Sequence, residues 1–404
     1  MEKIKILYIT PAYYPNIIGG SERSVKMLAE GIAKDNKFKC FVLSFDGKSK
    51  KPKFESYNDV NVIRVKKLNI SPNTLSQNLS LLWYKKIVKD INPDLIHVYN
   101  TYHIPSSVYF KSICPVIATL NNYFSICPIS YTKNNLMERK KMNFYDMFTS
   151  IFKTQIGSFQ KRFFVSYFYS IYWIFIKMWS KRLDLYIPIS KTTGNIHAIQ
   201  GFDSNKIIPV YNISDNEMVN QKRIKVKRKN NEILYVGGLL ESKGIKELLY
   251  AFKVIQHKNV TLHVVGGGIL FNDLKDYVDK NHLNVILHGK LSHDKLKKYY
   301  LGSAFIIHPS HWPDPMPRVI LEILQYDIPV IAANNPVAME AFGSGAVYYQ
   351  RGDIKDLADK IDLMLDKKLK TDLSIGRKII FSVNPIERIR GLYLDIIQKY
   401  KYRY

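Results

Sequence analysis

Short apolar runs of four to seven residues alternate with amphipathic helical stretches along almost the whole chain, and this rhythm restricts the fold more than any other feature. Within the runs the apolar residues are continuous and do not alternate with polar ones. That is the pattern of strands buried on both faces, as in a parallel sheet covered by helices. In the first half, strands are expected at 4–10, 39–45, 61–65, 94–99, 115–120, 185–190 and 207–212. After a polar, lysine- and arginine-rich stretch at 213–231, a second series is expected at 233–237, 261–266, 285–289, 304–310, 329–333 and 346–349. Helical segments separate the second-series strands, for example at 243–255 and 353–365. A last helix near 385–400 follows a proline boundary.

The reading is α/β: two Rossmann-like doubly wound domains facing a central cleft. The first covers 1–213 and the second 214–384, with the terminal helix 385–404 packing back on the first. Ligands in such sheets bind beyond the carboxyl ends of the strands, where the strand order reverses. The length of 404 residues fits two or three domains.

Composition narrows the function less. Sixty basic and 34 acidic residues give a net charge of +26, which favours an anionic partner without choosing one. Cys40, Cys114 and Cys127 form no metal-ligand spacing and read as free thiols of a reducing cytoplasm. The N-terminus reads as a buried strand and not as a signal peptide. No apolar run reaches membrane-spanning length. Residues 133–182 carry ten basic side chains against two acidic ones. Inside that stretch Arg162, Ser166, Ser170, Lys177 and Lys181 share one helical stripe opposite an aromatic face. Two readings stay open: an interfacial helix on an anionic membrane, or a core helix whose polar stripe faces water.

Four motifs carry chemistry. In PAYYPNIIGGSERS, Gly19 and Gly20 let backbone approach a ligand, and Ser21 reads as the cap of a helix whose first N–H groups can meet an anion. In YVGGLLESKGIKELLYAF, a strand ends at Gly237-Gly238, and Lys243 at the loop–helix junction can pair with a diphosphate. HVVGGG, with Gly267 in its glycine triplet, leaves room for a flat group on the backbone. In HPSHWPDPMPRVILEILQYDIPVIAAN, Pro317 suits the first helical position, so the N–H groups of Arg318 and Val319 can face phosphate oxygens. Glu322 can accept two hydrogen bonds from a vicinal diol, and Asp314 can bind sugar hydroxyls. Taken singly these also read as a capped helix with an Arg318–Glu322 surface pair.

In this order and spacing the four motifs resemble the retaining GT-B glycosyltransferases of family 4, the glycosyl transferases group 1. DLYIPISK (184–191), VYNISD (210–215) and His288 to Leu291 extend the resemblance over nearly the whole chain. Its strongest part is the acidic-x7-Glu signature, here Asp314 and Glu322. The resemblance implies that the second domain binds a nucleotide sugar: Glu322 on the ribose, Lys243 on the diphosphate and Asp314 on the sugar. Gly19, Gly20, Gly238, Gly267, Met316, Arg318 and Val319 would complete the donor site. It implies an acceptor held by the first domain and no metal ion or other cofactor, and the basic aromatic stretch at 133–182 adds the expectation of a glycan or lipid-linked acceptor at the cytoplasmic membrane face. No nucleic-acid partner is expected.

Three positions depart from the family pattern. Gly238 replaces the usual arginine partner of the lysine. Pro317 replaces a glycine. Asn121 in TLNNYFSICP stands where many relatives have histidine, and amide cannot take a proton near neutral pH. His97 and His103, nearby in sequence, read as structural. These departures keep two further readings in view: a binding subunit without catalysis, and an epimerase or hydrolase of the same fold.

Overall fold

The computed structural model describes residues 2–16, 19–70, 73–127, 140–213 and 228–402. The polar stretch expected as a linker lies mostly outside them. Contacts divide the chain into two units, Met1–Ile213 with Val383–Tyr404, and Ser214–Ser382.

The first unit holds a seven-stranded sheet: β1 (Ile4–Thr10), β2 (Phe38–Ser44), β3 (Lys53–Tyr57), β4 (Val60–Arg64), β5 (Leu95–Tyr99), β6 (Val116–Leu120) and β7 (Leu185–Pro188). Their order is β3-β4-β2-β1-β5-β6-β7, parallel except for β3. β5 and β6 are buried at every position, as their unbroken apolar runs imply. β3 has no such run. It pairs antiparallel at the edge with little burial, so no apolar pattern marks it.

The expected strand at 207–212 does not form. Only a bridge links Ile207 to Tyr186, with Ile208 N–H to Tyr186 O and Val210 N–H to Pro188 O beyond it. Pro188 in β7, whose O accepts from Val210, has no N–H to return to this segment and complete the ladder.

Helix Pro385–Lys401 packs on this unit. Its Ile386 fills the space beside Gly31. Its buried Tyr393 hydroxyl lies 2.6 Å from Nδ1 of His97, whose Nε2 lies 2.8 Å from the Thr119 hydroxyl. His97 therefore ties the terminal helix to β5 and β6. Burial pushes His97 and His103 down to about 3 and His197 to about 4. All three fold as neutral rings, so the unfolded chain binds their protons first. Their stabilisation is full above pH 6.5 and is lost as pH falls toward 3–4, about 2 kcal/mol each by pH 5. Hydrogen exchange between pH 7 and pH 5 is expected to show this unit loosening more than the second, where His308 is the one histidine comparably shifted among those described. Equal loosening would contradict the assignment.

Helix Phe159–Ser180 departs from the core-helix reading, in which its polar stripe faces water. Ser166, Ser170, Ser180 and Lys177 face the protein and are buried, whereas Phe164, Phe168 and Phe175 are more than half exposed. Small serines permit close approach to the neighbouring helix Ile104–Ser107, and Ser170 returns its hydroxyl to Ser166 O at 2.7 Å. Trp173, on the same inner side, stacks on Phe124 at 6.3 Å.

The second unit holds β8 (Lys229–Val236), β9 (Thr261–Val265), β10 (Val285–Gly289), β11 (Ser303–His308), β12 (Val330–Ala333) and β13 (Val347–Tyr349). All neighbours are parallel, in the order β10-β9-β8-β11-β12-β13. Connection order reverses between β8 and β11, which sets a binding crevice at their carboxyl ends. Cys40, Cys114 and Cys127 are buried free thiols.

Candidate active site

A cavity of about 190 Å³ opens at that reversal. The end of β8 supplies Gly237 and Gly238, the end of β11 supplies His308 and Ser310, and Lys243, Pro317 and Val319 complete the wall.

Lys243 closes a 3₁₀ turn, Glu241–Lys243, and Gly244 follows at φ +70° as the cap of helix Ile245–Val254. Gly244 is required sterically: a Cβ there would lie 2.0 Å from Pro309 O. The N–H groups of His311 and Trp312 donate to Ser242 O at 3.1 and 3.3 Å, so the lysine loop and the loop after β11 are clasped together.

That second loop contains Pro309, Pro313, Pro315 and Pro317, which restrict its backbone. Met316, buried within it, holds φ +38°, a strained value for a side chain. The loop delivers Asp314 to Lys243, and the two form an ion pair. Both are partly exposed. A diphosphate entering the cavity would compete with Asp314 for the lysine.

Helix Arg318–Tyr326 begins one residue later than expected. Pro317 is its extended cap, and its first bond runs from Ile320 N–H to Pro317 O at 3.0 Å. Asp314 is therefore not the cap. Val319, ahead of that bond, lines the cavity. One turn on, Glu322 accepts from the Tyr300 hydroxyl at 2.6 Å, and Nδ1 of His293 lies 4.0 Å away. Tyr300 is wholly buried and stacks on Tyr326, with centroids 5.0 Å apart. One carboxylate oxygen is thus anchored from below. Tyr300 lies 22 residues before Glu322, and nothing in the sequence marks the pair.

His308 is another residue to which the motif assigned no role. Burial, reinforced by the Lys243 charge, pushes it down to about 4, so it is neutral at physiological pH. Beneath the loop, His311 meets the buried carboxylate of Glu247.

The glycine triplet serves packing. A Cβ on Gly266 would lie 1.8 Å from Gly237 O, and one on Gly268 2.3 Å from Leu239 O. The room left by those side chains is filled by the 237–239 loop, not by a flat ligand. Gly267 lies against the Lys290 side chain. Gly238 differs: its Cβ direction is open, with Leu240 at 3.8 Å.

In the first unit, Gly19, not Ser21, caps helix Gly20–Ala33. The Glu22 carboxylate accepts from Gly19 N–H at 2.9 Å and from Ser21 Oγ at 2.9 Å. The acidic side chain thus already occupies the helix start expected to meet an anion. Asn121 follows β6. Its amide nitrogen is buried without a hydrogen-bond partner, and its oxygen accepts from Asn122 at 3.3 Å. Asn122 is also bonded to Asn100, at the end of β5, at 2.9 Å. His103 is fully buried against Phe45 with both ring nitrogens unpartnered.

Comparison with known proteins accords with this geometry. The profile of the glycosyl transferases group 1 matches residues 217–379, and that of Glycosyltransferase Family 4 matches 18–217. The capsular polysaccharide biosynthesis glycosyltransferase CapM of Staphylococcus aureus is 31% identical over 198 residues, 46% of this chain and 51% of CapM. The chain spans about half the length of the curated relatives it matches first. Sucrose-phosphate synthase from Thermosynechococcus elongatus superposes with a TM-score of 0.73 at 16% identity, over 98% of this chain and 100% of that one. Anabaena HepE in complex with UDP-glucose superposes at 0.65 and 17% identity, over 98% and 100%. Sequence profiles over both halves and a shared architecture of two Rossmann-like domains agree: the chain belongs to the GT-B glycosyltransferases of the group 1, family 4 type.

Proposed function

We propose that the chain transfers a sugar from a nucleoside-diphosphate sugar to a glycan or lipid-linked acceptor in cell-surface polysaccharide assembly, with retention and without a metal ion. The observation that carries this reading is the meeting of Lys243, its partner Asp314 and the helix start at Val319 on one strand-order reversal. The donor's diphosphate takes Lys243 and the helix start at Val319. Asp314, released from the lysine, turns to the sugar hydroxyls. Glu322, oriented by Tyr300, takes the ribose diol. Fixed positive charge at the diphosphate stabilises the leaving group where negative charge develops. The CapM relationship and the UDP-glucose complex of HepE support the donor class and the biosynthetic setting.

Nucleoside diphosphates are expected to raise the unfolding temperature, and Glu322→Ala to weaken their binding about tenfold or more, the worth of a charge-assisted hydrogen bond. No stabilisation by any nucleotide would overturn the donor site. Diphosphate released only with acceptor present, and undiminished by EDTA, would distinguish transfer from hydrolysis and from metal dependence.

The glycine at 238 favours a second reading, a binding subunit without transfer. Its open Cβ direction supplies the discriminating test. Gly238→Arg is accommodated sterically and adds a cation at the end of β8. Nucleoside-diphosphate affinity is expected to rise about tenfold in calorimetry. Unchanged affinity would mean that residue 238 does not face the diphosphate.

A further inference from the structure

We propose that Glu247 is a positioning residue of the donor site: through His311 it fixes the loop that brings Asp314 to Lys243. The proposal rests on the donor-site reading above and adds a residue that no motif marks. Glu247 lies in helix Ile245–Val254, on the side that carries Leu248, Ala251 and Phe252 into the core. It is 8% exposed. A carboxylate in such a place is costly unless it is paired, and an apolar side chain of that size would be less so. Its partner is Nε2 of His311, on the loop after β11. The Tyr349 hydroxyl, buried on β13, faces it as well. Burial and this carboxylate hold that hydroxyl well above its usual range, so it remains a neutral donor.

His311 is the point at which the loop is gripped. Its N–H donates to Ser242 O at 3.1 Å, and its carbonyl accepts from Nη1 of Arg351 at 2.8 Å. These two contacts fix the backbone. The ring is fixed separately: its Cδ2 lies 3.0 Å from where a Cβ on Gly244 would stand, and Glu247 meets its Nε2. Glu247 is four residues beyond Lys243, and His311 is three before Asp314. One side-chain contact thus ties together the two segments that supply the Lys243–Asp314 pair. The loop needs such a hold. Met316, two residues beyond Asp314, keeps φ +38°, and strained backbone persists only where its surroundings fix it. Asn335 adds another tie, from its Nδ2 to Ser310 O at 2.9 Å.

Loss of this contact acts on turnover more than on binding. Glu322 is oriented by Tyr300, so the ribose keeps its partner when the loop shifts. Asp314 and Lys243 would instead be misplaced around the leaving diphosphate, and an error of about 1 Å there costs about 100-fold in rate.

The test compares Glu247→Leu, Glu247→Gln, His311→Ala and the pair Glu247→Leu with His311→Ala in the full chain, using the sugar nucleotide selected by thermal shift. Glu247→Leu is expected to keep or raise the unfolding temperature. An apolar side chain replaces a buried charge, and water can serve the His311 ring, which is 35% exposed. Its kcat is expected to fall about 10- to 100-fold, with a smaller change in KM. Glu247→Gln keeps a hydrogen bond to the ring and should recover most of that loss. His311→Ala strands the carboxylate and should lower both kcat and the unfolding temperature. In kcat the pair should cost no more than either change alone, since both remove the same contact. Additive losses in the pair, or kcat falling only in step with stability, would overturn the proposal. Unchanged kcat in Glu247→Leu, with a nucleoside diphosphate still stabilising it, would remove Glu247 alone. If no nucleotide stabilised even the unaltered protein, the donor site would fall and this role with it.

Discussion

Lys243→Ala is expected to lower kcat/KM about 100- to 1,000-fold while leaving the unfolding temperature nearly unchanged. The lysine stands in the cavity at the β8–β11 reversal, and its partner there is a carboxylate, not a structural backbone group. Removing it deletes a charge aimed at the leaving diphosphate, an effect of the size seen when one stabilising donor is lost from a transition state. It also strands Asp314 beside the incoming phosphates, adding repulsion. Gly238 has no side chain to compensate. Lys243→Arg keeps the charge but alters its shape, so partial recovery is expected. Steady-state kinetics with the sugar nucleotide selected by thermal shift would decide the matter. Activity within threefold of the unaltered protein would remove Lys243 from the mechanism.

The adjacent substitution acts by a different physical route. Gly244→Ala is expected to destabilise the second unit by about 3 kcal/mol or more, and its unfolding temperature by roughly 10 °C. Left-handed backbone at φ +70° costs an alanine about 1–2 kcal/mol. The larger cost is steric: the new Cβ would lie 2.0 Å from Pro309 O and 3.0 Å from Cδ2 of His311. Relief requires the two loops to part, breaking the clasp of His311 and Trp312 on Ser242 and drawing Lys243 from Asp314. Gly289→Ala is the control. Gly289 has φ +66° but nothing within 4 Å of its Cβ direction, so only the conformational cost applies. Calorimetry showing equal losses for the two variants would refute the steric account.

Much of this molecule was readable in one dimension. Unbroken apolar runs marked buried parallel strands because a strand covered on both faces has no solvent side to make polar. β1 and β10 begin and end where the pattern placed them. The edges were not readable: β3 carries no apolar run, and Pro188 in β7 leaves the ladder to 207–212 incomplete. The motifs located the site residues, since strand ends and helix starts must lie where the glycines, prolines and Lys243 allow. They did not reveal partners distant in sequence. Tyr300 holding Glu322 and Asp314 neutralising Lys243 depend on side chains meeting in space.

Helix Phe159–Ser180 makes the same division at its sharpest. Its sequence determined that one face is aromatic and the other small and basic, because helical spacing alone sorts them. Which face meets water was decided by the neighbours, which bury Ser166, Ser170, Trp173 and Lys177 and leave Phe164, Phe168 and Phe175 outside. Periodicity records the two faces of an element, and only tertiary contacts choose the one that turns inward.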